Sequence, residues 1–280
     1  RVQRWRLGRT MNLVGRSPKR SRYRPPDEEH GWHSFSLQDD AFRFVDAQPD
    51  DNFRVWAAEV NRDGGRKYYA ANIDEFWRRY RVLKPSFRHF YELIRSGEPC
   101  LLYLDLEYDR AANPTCDGER MVATVVALLS EALDATYGAA PRAADVVDLD
   151  SSTERKFSRH VLLRGAAFAD NLHLGRFVLA WHAALGARRA AEPRVDELWV
   201  HERGATAADA PRTAFFVDLS VYSRNRCFRL YKSSKLGKGA ELLPAGMSEE
   251  QLWFLPHADE EALFRRSLAS DVPPGATLLR

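Results

Sequence analysis

Apolar residues recur every three or four positions in several segments of the chain, which is the spacing of one face of an α-helix. The longest segment, residues 119–137, carries a stripe of valines and leucines and is followed by Gly138, a residue type that commonly ends helices. We predict helices at residues 38–47, 74–82, 87–95, 119–137, 172–185 and 259–268.

Runs rich in apolar, β-branched and aromatic residues lie between these helices and are typical of strands. Asp63-Gly64-Gly65 separates two such runs and is a hairpin signal. We predict strands at residues 54–61, 66–71, 100–109, 146–150, 157–163, 213–222 and 227–231, and loops over 190–210 apart from residues 198–200. This mixture indicates an α+β or α/β fold built on a mostly antiparallel sheet.

Two acidic residues interrupt the apolar run CLLYLDLEYD at residues 100–109. Because side chains alternate between the faces of a strand, Asp105 and Glu107 share one face, about 7 Å apart along the strand, while Leu104 and Leu106 face a core. Two like charges inside a strand favour a positive partner. A divalent ion such as Mg²⁺ or Mn²⁺ is one such partner. Acids at a strand end that face solvent, or that pair with Lys or Arg, are the other interpretation.

Charge is distributed unevenly along the 280 residues, whose net charge is +3. Residues 1–26 contain nine basic residues and no acid, and the remainder contains 33 basic and 39 acidic residues. This leader is compatible with a nucleic-acid arm or an organelle transit segment, but we expect a disordered segment. A second acid-free stretch, residues 219–240, carries six Lys or Arg inside a folded pattern and predicts an anionic partner.

The composition argues against other classes of protein. No apolar stretch approaches the ~20 residues that span a bilayer, so we expect no membrane association. The three cysteines, Cys100, Cys116 and Cys227, form no C-x-x-C pair, and only His257 follows Cys227 among the Cys and His residues. We therefore expect reduced thiols and no zinc in this chain.

A third acid follows another apolar run. Residues 214–217 are Ala-Phe-Phe-Val, and Asp218 stands at the end of that predicted strand. Three carboxylates on neighbouring strands are a common arrangement in two-metal phosphoryl-transfer sites. The sequence therefore predicts that Asp218 joins Asp105 and Glu107.

The segment KFSRH at residues 156–160 supplies hydrogen-bond donors. Strand alternation places Lys156, Ser158 and His160 on one face, where an ammonium, a hydroxyl and an imidazole can bind a phosphate chain. A core histidine and an ordinary strand serine are the alternative interpretation.

The order of these motifs, D-x-E, then S-x-H, then an apolar strand ending in Asp, resembles that of the archaeo-eukaryotic primase superfamily. Three longer stretches, YLDLEYDRAANPTCDGERMV, LDSSTERKFSRHVLL and FVDLSVYSRNRCFRLYKSSKLGK, are similar to the corresponding parts of the eukaryotic primase-polymerase (PrimPol) family. The likeness extends from about residue 23 to the C-terminus. It implies a primase-type catalytic core of α+β class, residues 27–280, with an N-terminal module at 27–97 and a catalytic module at 98–280. The family fold includes an RRM-like, mostly antiparallel sheet.

The resemblance also implies a role for each matching residue. Catalytic metal ligands are expected at Asp105, Glu107 and Asp218. Nucleotide-binding residues are expected at Arg66, Lys156, Ser158, His160, Arg229 and Lys235. DNA-binding residues are expected at Gln38, Arg224, Asn225 and Arg226, although Leu37 and Cys227 stand where polar or basic residues are typical of the family.

These roles imply a DNA-directed primase-polymerase that adds nucleotides to a primer 3′-hydroxyl with Mn²⁺ or Mg²⁺, in replication restart and damage tolerance. The family's zinc ribbon and the segment that binds the single-strand-binding protein RPA have no counterpart here, so we expect primer extension, with de novo priming in question. A monomer located in the nucleus and the mitochondrion is implied in the same way. A metal-dependent nuclease and a non-catalytic DNA-binding module are the alternatives.

Overall fold

The computed structural model describes residues 31–49, 52–202, 213–247, 251–252, 254–274, 276 and 278–280. The predicted leader at residues 1–26 lies outside the described residues. The helices are α1 (Gln38–Asp46), α2 (Ile73–Tyr80), α3 (Gly118–Tyr137), α4 (Asn171–Arg188), α5 (Pro193–Asp196) and α6 (His257–Arg266). The strands are β1 (His33–Phe35), β2 (Phe53–Glu59), β3 (Arg66–Asn72), β4 (Phe90–Ile94), β5 (Cys100–Asp109), β6 (Val146–Asp150), β7 (Lys156–Phe168), β8 (Trp199–His201), β9 (Thr213–Phe215), β10 (Arg226–Arg229), β11 (Leu243–Pro244) and β12 (Leu278–Leu279).

The first sheet is antiparallel throughout and has the strand order β1-β3-β2-β4-β10. One face packs on α1 through a small core that includes Phe42 and Val55. On the other face, the Trp56 ring stacks on Phe76 of α2 with a centroid separation of 3.8 Å. Phe264 of α6 packs against the same aromatic cluster. The first sheet is therefore covered by helices on both sides.

The second sheet is organised around the long strand β7, which β5 and β6 flank in antiparallel fashion. Strand β11 extends the sheet beyond β6, and β12 pairs with the end of β7 in parallel. Helix α3 begins where the Asp117 side chain accepts a hydrogen bond from the Arg120 backbone N–H, and it ends at Gly138 with a φ of 64°. The predicted helix, its stop signal and the α+β class are confirmed.

Two predicted elements are wrong. Residues 87–95 were expected to be helical, but β4 occupies Phe90–Ile94, with a 3₁₀ turn at Pro85–Phe87 before it. All five residues of β4 are buried, so the strand lacks the alternation that marks a half-exposed strand. The predicted strand at 213–222 is regular only over β9, and a 3₁₀ turn at Leu219–Val221 begins where the Asp218 carboxylate accepts from the Ser220 N–H.

The other predicted helices and strands are confirmed within a few residues at their ends, except that β7 continues five residues past its predicted end. Within the predicted loop 190–210, β8 lies at the excepted residues 198–200, whereas the short helix α5 was not predicted. Residues 203–210 lie outside the described residues. The module boundary at residues 97 and 98 stays a prediction. Among the described residues, no helix is long and apolar enough to cross a membrane.

Candidate active site

The pairing of β5 with β7 brings the predicted motif residues onto one face. Asp105 lies directly opposite His160, and Glu107 lies directly opposite Ser158. Since directly opposed residues of an antiparallel pair share a face, the D-x-E and S-x-H motifs form a single patch. Lys156 contacts the Glu107 carboxylate through its ammonium group. The shared face predicted for each motif is therefore confirmed, and the two faces are the same one.

Asp218 reaches this patch from the other side of β5. Its backbone N–H donates to the Asp105 carbonyl at 2.8 Å, and the backbone N–H of Glu107 donates to the Phe216 carbonyl at 3.1 Å. Residues 216–218 thus extend the ladder next to β5 without forming a regular strand. The three acids accordingly lie on neighbouring stretches of backbone, as the sequence predicted.

The first sheet contributes basic residues to the same place. The ring of Phe228 in β10 stacks on His160 of β7 with a centroid separation of 4.1 Å, so the two sheets meet here. The next residue, Arg229, is buried, donates to the Ala240 carbonyl at 3.1 Å and donates to the Ser151 hydroxyl at 2.7 Å. Ser151 in turn donates to the Ser158 hydroxyl at 3.2 Å. A hydrogen-bond chain therefore links the basic strand to the S-x-H motif.

A cavity of about 890 Å³ lies between the two sheets. Its second-sheet side, which we call the acidic wall, carries Asp105 and Glu107. Its first-sheet side, which we call the basic wall, carries Arg226, Arg229 and Lys235. Such a volume is within the range of small-molecule binding sites. The opposed charges suit a ligand that brings both phosphate and metal.

Several buried polar atoms around this cavity have no hydrogen-bond partner among the described residues. They include Oδ1 of Asp105, Nδ1 of His160 and Nε of Arg229. The contact between Asp105 Oδ1 and His160 Nε2, at 3.8 Å, is too long for a hydrogen bond. An unsatisfied buried polar group costs about 1–3 kcal/mol. Their concentration at one cavity indicates a polar ligand.

Burial and neighbouring charges set the protonation of the central pair. Burial, followed by the charges of Glu107 and Asp218, raises the pKa of Asp105 to about 6. Burial, followed by the charges of Arg229 and Lys235, holds the pKa of His160 well below its usual value. The His160 ring is therefore neutral near pH 7. A neutral ring next to three basic side chains retains one nitrogen as a donor to an anion.

Comparison with curated proteins places the chain among known sequences. It is 34% identical to the DNA-directed primase/polymerase protein of Homo sapiens over 94% of this chain and 57% of the relative. It is 35% identical to the protein of the same name from Danio rerio over 86% of this chain and 50% of the relative. The Mus musculus protein is 34% identical over 94% of this chain. The chain belongs to the DNA-directed primase/polymerase family. No protein-family model matches it, and it spans about half the length of these relatives.

The carboxylates fit the metal ions that the primase/polymerase family implies. The donor set consists of oxygens, as Mg²⁺ and Mn²⁺ prefer, and the buried Oδ1 of Asp105 has no protein donor within the described residues. As they stand, no three His, Cys, Asp or Glu side chains in the described parts of the chain are close enough to ligate one ion. The Glu107 carboxylate contacts the Lys156 ammonium, and the Asp218 carboxylate accepts from the Ser220 backbone N–H.

The DNA-binding residues expected from the primase/polymerase family lie mainly at one edge of the first sheet. The Asn225 side chain donates to the Gln38 side chain at 3.3 Å and accepts from the Ser96 backbone N–H at 3.1 Å. Asn225 has a φ of 49°, a left-handed conformation that Asn tolerates. Arg224 beside it is exposed, whereas Arg226 lines the cavity. Gln38, Arg224 and Asn225 thus form one surface next to the site.

Arg66 lies farther out than expected from the family pattern. Its guanidinium stands over the Tyr91 ring, 5.4 Å from the centroid, and Tyr91 itself lines the cavity. Arg66 is exposed and is not among the cavity-lining residues. The structure therefore places Arg66 at the rim of the cavity, behind an aromatic ring.

Sequence reasoning missed Ser151, Tyr91 and Phe228. Ser151 directly follows the predicted strand at 146–150, and the pairing of β6 with β7 puts it opposite Ser158. Tyr91 lies in the strand that was predicted to be a helix. Phe228 alternates with Arg229 in the motif RCFRLY, and an aromatic residue there carried no signal for stacking on a histidine 68 positions away.

Proposed function

We propose that the chain is a nucleotidyltransferase that extends a DNA primer from deoxynucleoside triphosphates on a template. The observation that carries the proposal is the cavity between an acidic and a basic wall, with buried unsatisfied atoms on both. The name of the relatives, DNA-directed primase/polymerase protein, supports this reaction. An acidic wall alone also suits a nuclease, but a nuclease has no use for a triphosphate grip.

In the proposed reaction, the primer 3′-hydroxyl gives up its proton to water, and its oxygen forms a bond to the α-phosphorus of the incoming nucleotide. The bond from that phosphorus to the bridging oxygen of the β-phosphate breaks, and pyrophosphate leaves. Asp105, Glu107 and Asp218 would hold the divalent ions, which would supply positive charge to stabilise the charge that develops during the transfer. Because Asp105 lies centrally among these acids, its charge is the one the reaction depends on most.

The basic wall holds the nucleotide's phosphates. Hydrogen bonds to Ala240 and Ser151 hold the Arg229 guanidinium in place, so the orientation of its unpartnered Nε–H donor is fixed. His160 is held by stacking on Phe228, and Ser158 by the Ser151 hydroxyl. Preorganised donors of this kind stabilise transferred phosphate charge without rearrangement during the reaction.

Other parts of the proposal rest on the family resemblance alone. They comprise template contact through Gln38, Arg224, Asn225 and Arg226, and a role in replication restart and damage tolerance. They also comprise action as a monomer, location in the nucleus and the mitochondrion, and a contact with RPA outside the region that matches the relatives. De novo priming stays open because the relatives are about twice as long as the matched region.

The test is extension of a labelled primer on a DNA template with all four dNTPs, in Mg²⁺ and in Mn²⁺. We expect products whose length follows the template and that disappear in Asp105→Ala. Shortening of the primer instead of extension would indicate a nuclease. Binding of DNA without either product would indicate a non-catalytic module.

A further inference from the structure

One carboxylate on the basic side of the cavity has no role in the proposed reaction. Glu59 ends β2, directly opposite Arg66 of β3. One oxygen of its carboxylate accepts from the Tyr91 hydroxyl at 2.7 Å, and the other accepts from the Leu236 backbone N–H at 2.8 Å. Tyr91 is buried in β4, and Leu236 directly follows Lys235. A single side chain therefore ties the first sheet to the basic segment.

The segment that Glu59 holds is a tight turn. The Lys238 N–H donates to the Lys235 carbonyl at 2.9 Å, and Gly237 has a φ of 78°. Leu236 is then the second residue of a four-residue turn, where the backbone N–H has no partner within the turn itself. Glu59 supplies that partner. Lys235 and Lys238, at the two ends of the turn, both line the cavity.

A negative charge at this position opposes the proposed ligand unless it serves another purpose. Glu59 is close enough to Arg229 and Tyr91 to affect their protonation, so it also lies within electrostatic range of a bound triphosphate. Like charges repel, and removal of an idle carboxylate tightens anion binding. If the carboxylate instead holds the lysine-bearing turn in place, its removal weakens anion binding. The sign of the change therefore separates the two cases.

We propose that Glu59 is a positioning residue for nucleotide binding, which fixes the Lys235–Lys238 turn against Tyr91 so that Lys235 faces the phosphates. This inference rests on the proposed function and adds a residue outside the family motifs quoted above. It requires the hydrogen bonds of Glu59 rather than its charge.

The test compares Glu59→Ala and Glu59→Gln in primer extension over a range of dNTP concentrations. Alanine removes both acceptors, and we expect the KM for dNTP to rise about tenfold while kcat stays within about twofold. Glutamine removes the charge but keeps an oxygen for Leu236 and an amide for the Tyr91 hydroxyl, so its KM is expected near the wild-type value. Asp63→Ala, which removes an exposed carboxylate from the same hairpin, is the matched control and leaves KM unchanged.

Gly237→Ala disturbs the same turn without touching Glu59. Any residue other than glycine is strained at a φ of 78°, so this variant is expected to raise KM in the same direction. Thermal unfolding of each variant shows whether the whole chain is affected. The inference is overturned if Glu59→Ala lowers KM or leaves it unchanged, or if Glu59→Gln is as impaired as Glu59→Ala.

Hydrogen exchange of the Leu236 amide in the ligand-free chain provides a readout that does not depend on catalysis. We expect exchange at Leu236 to be at least about tenfold faster in Glu59→Ala than in the wild type. Unchanged exchange would contradict the tether even in an active enzyme. If the wild type extends no primer but Leu236 exchange responds as expected, the proposed function fails and the tether stands.

Discussion

The acidic and basic walls of the cavity are built in different ways. The acidic wall depends on one strand pair, in which the register of β5 and β7 sets Asp105 against His160 and Glu107 against Ser158. The basic wall depends on contacts between distant parts of the chain, such as that between Glu59 and Leu236, which are 177 residues apart. Local alternation groups the side chains of each motif in the acidic wall, and one strand pairing joins the two motifs. The basic wall needs contacts between several distant parts of the chain.

This difference assigns different tasks to the two walls. The acidic wall is half-exposed at Glu107 and carries the carboxylates that we propose as metal ligands, so we expect it to serve the chemical step. The basic wall is buried at Arg229 and held by fixed partners, so it is suited to binding. Mutations in the two walls should therefore separate rate from affinity.

The largest effect is expected for Asp105→Asn, which keeps the side-chain volume and removes the charge. Extension should fall by at least about 10³-fold, because a proposed metal ligand is lost, while affinity for template-primer DNA stays within about twofold. Rates of single-nucleotide extension and DNA fluorescence anisotropy measure the two quantities. Asp134→Asn, on the exposed side of α3, is the control. Retention of a tenth of the wild-type rate would contradict the assignment of Asp105.

Breaking the basic wall at Arg229 should affect nucleotide affinity next most strongly. Arg229→Ala is expected to raise the KM for dNTP about 30- to 100-fold, because a buried charged donor is removed. The KM of Arg229→Lys for dNTP should lie between those of the wild type and of Arg229→Ala, since lysine keeps the charge without the forked donors. The exposed Arg224→Ala is the matched arginine control and should weaken DNA binding while leaving the KM for dNTP unchanged. An unaltered KM in Arg229→Ala would contradict the proposed role of the basic wall in nucleotide binding.

His160 lies where the two walls meet, so its substitution tests whether this contact serves nucleotide binding or only the fold. His160→Ala should weaken nucleotide binding about tenfold and DNA binding much less, because His160 lines the cavity and its buried Nδ1 has no partner among the described residues. His160→Phe keeps the stacking on Phe228 and should show the same loss. Equal losses of nucleotide and DNA affinity, measured by titration with each ligand, would mark His160 as a structural residue.

The smallest effect on activity is expected at Glu92, whose carboxylate accepts from Ala269 and Ser270 and so links the first sheet to the chain after α6. Burial raises the pKa of Glu92 to about 7. Between about pH 4.5 and 7 the folded state therefore binds more protons than the unfolded state. Stability contributed by this group is fully present below about pH 4.5 and is lost as the pH rises to 7.

Chemical denaturation across this pH range measures the effect. The slope due to Glu92 is at most about 1.4 kcal/mol per pH unit. Glu92→Gln, which does not titrate, should flatten the dependence and leave the KM for dNTP unchanged. If the unfolding free energies of the wild type and of Glu92→Gln depend on pH in the same way between pH 5 and 7, Glu92 does not have this role.

The acidic wall could be predicted from the sequence because strand alternation determines which side chains share a face. Asp105 and Glu107, and likewise Ser158 and His160, were grouped correctly for this reason. The α3 helix was predictable from its apolar stripe and Gly138. These features need only neighbouring residues.

The basic wall was only partly predictable. Arg229 and Lys235 were found through the family motif, but Ser151, Tyr91 and Glu59 were not. Tyr91 was missed because β4 is buried on both faces and its apolar residues imitate helical spacing. Glu59 and Leu236 meet only after β2 and the basic segment pack together, and no local pattern encodes that contact.

The most direct measurement is single-turnover incorporation of one matched dNTP into a primer by wild type, Asp105→Asn and Arg229→Ala over a range of dNTP concentrations. It gives the rate constant of the chemical step and the apparent Kd for dNTP separately. We predict template-dependent incorporation by the wild type, a lower rate constant with little change in Kd for Asp105→Asn, and a higher Kd for Arg229→Ala. Absence of incorporation by folded wild type would contradict the proposed function. A higher Kd in Asp105→Asn together with a lower rate constant in Arg229→Ala would contradict the proposed roles of the two walls.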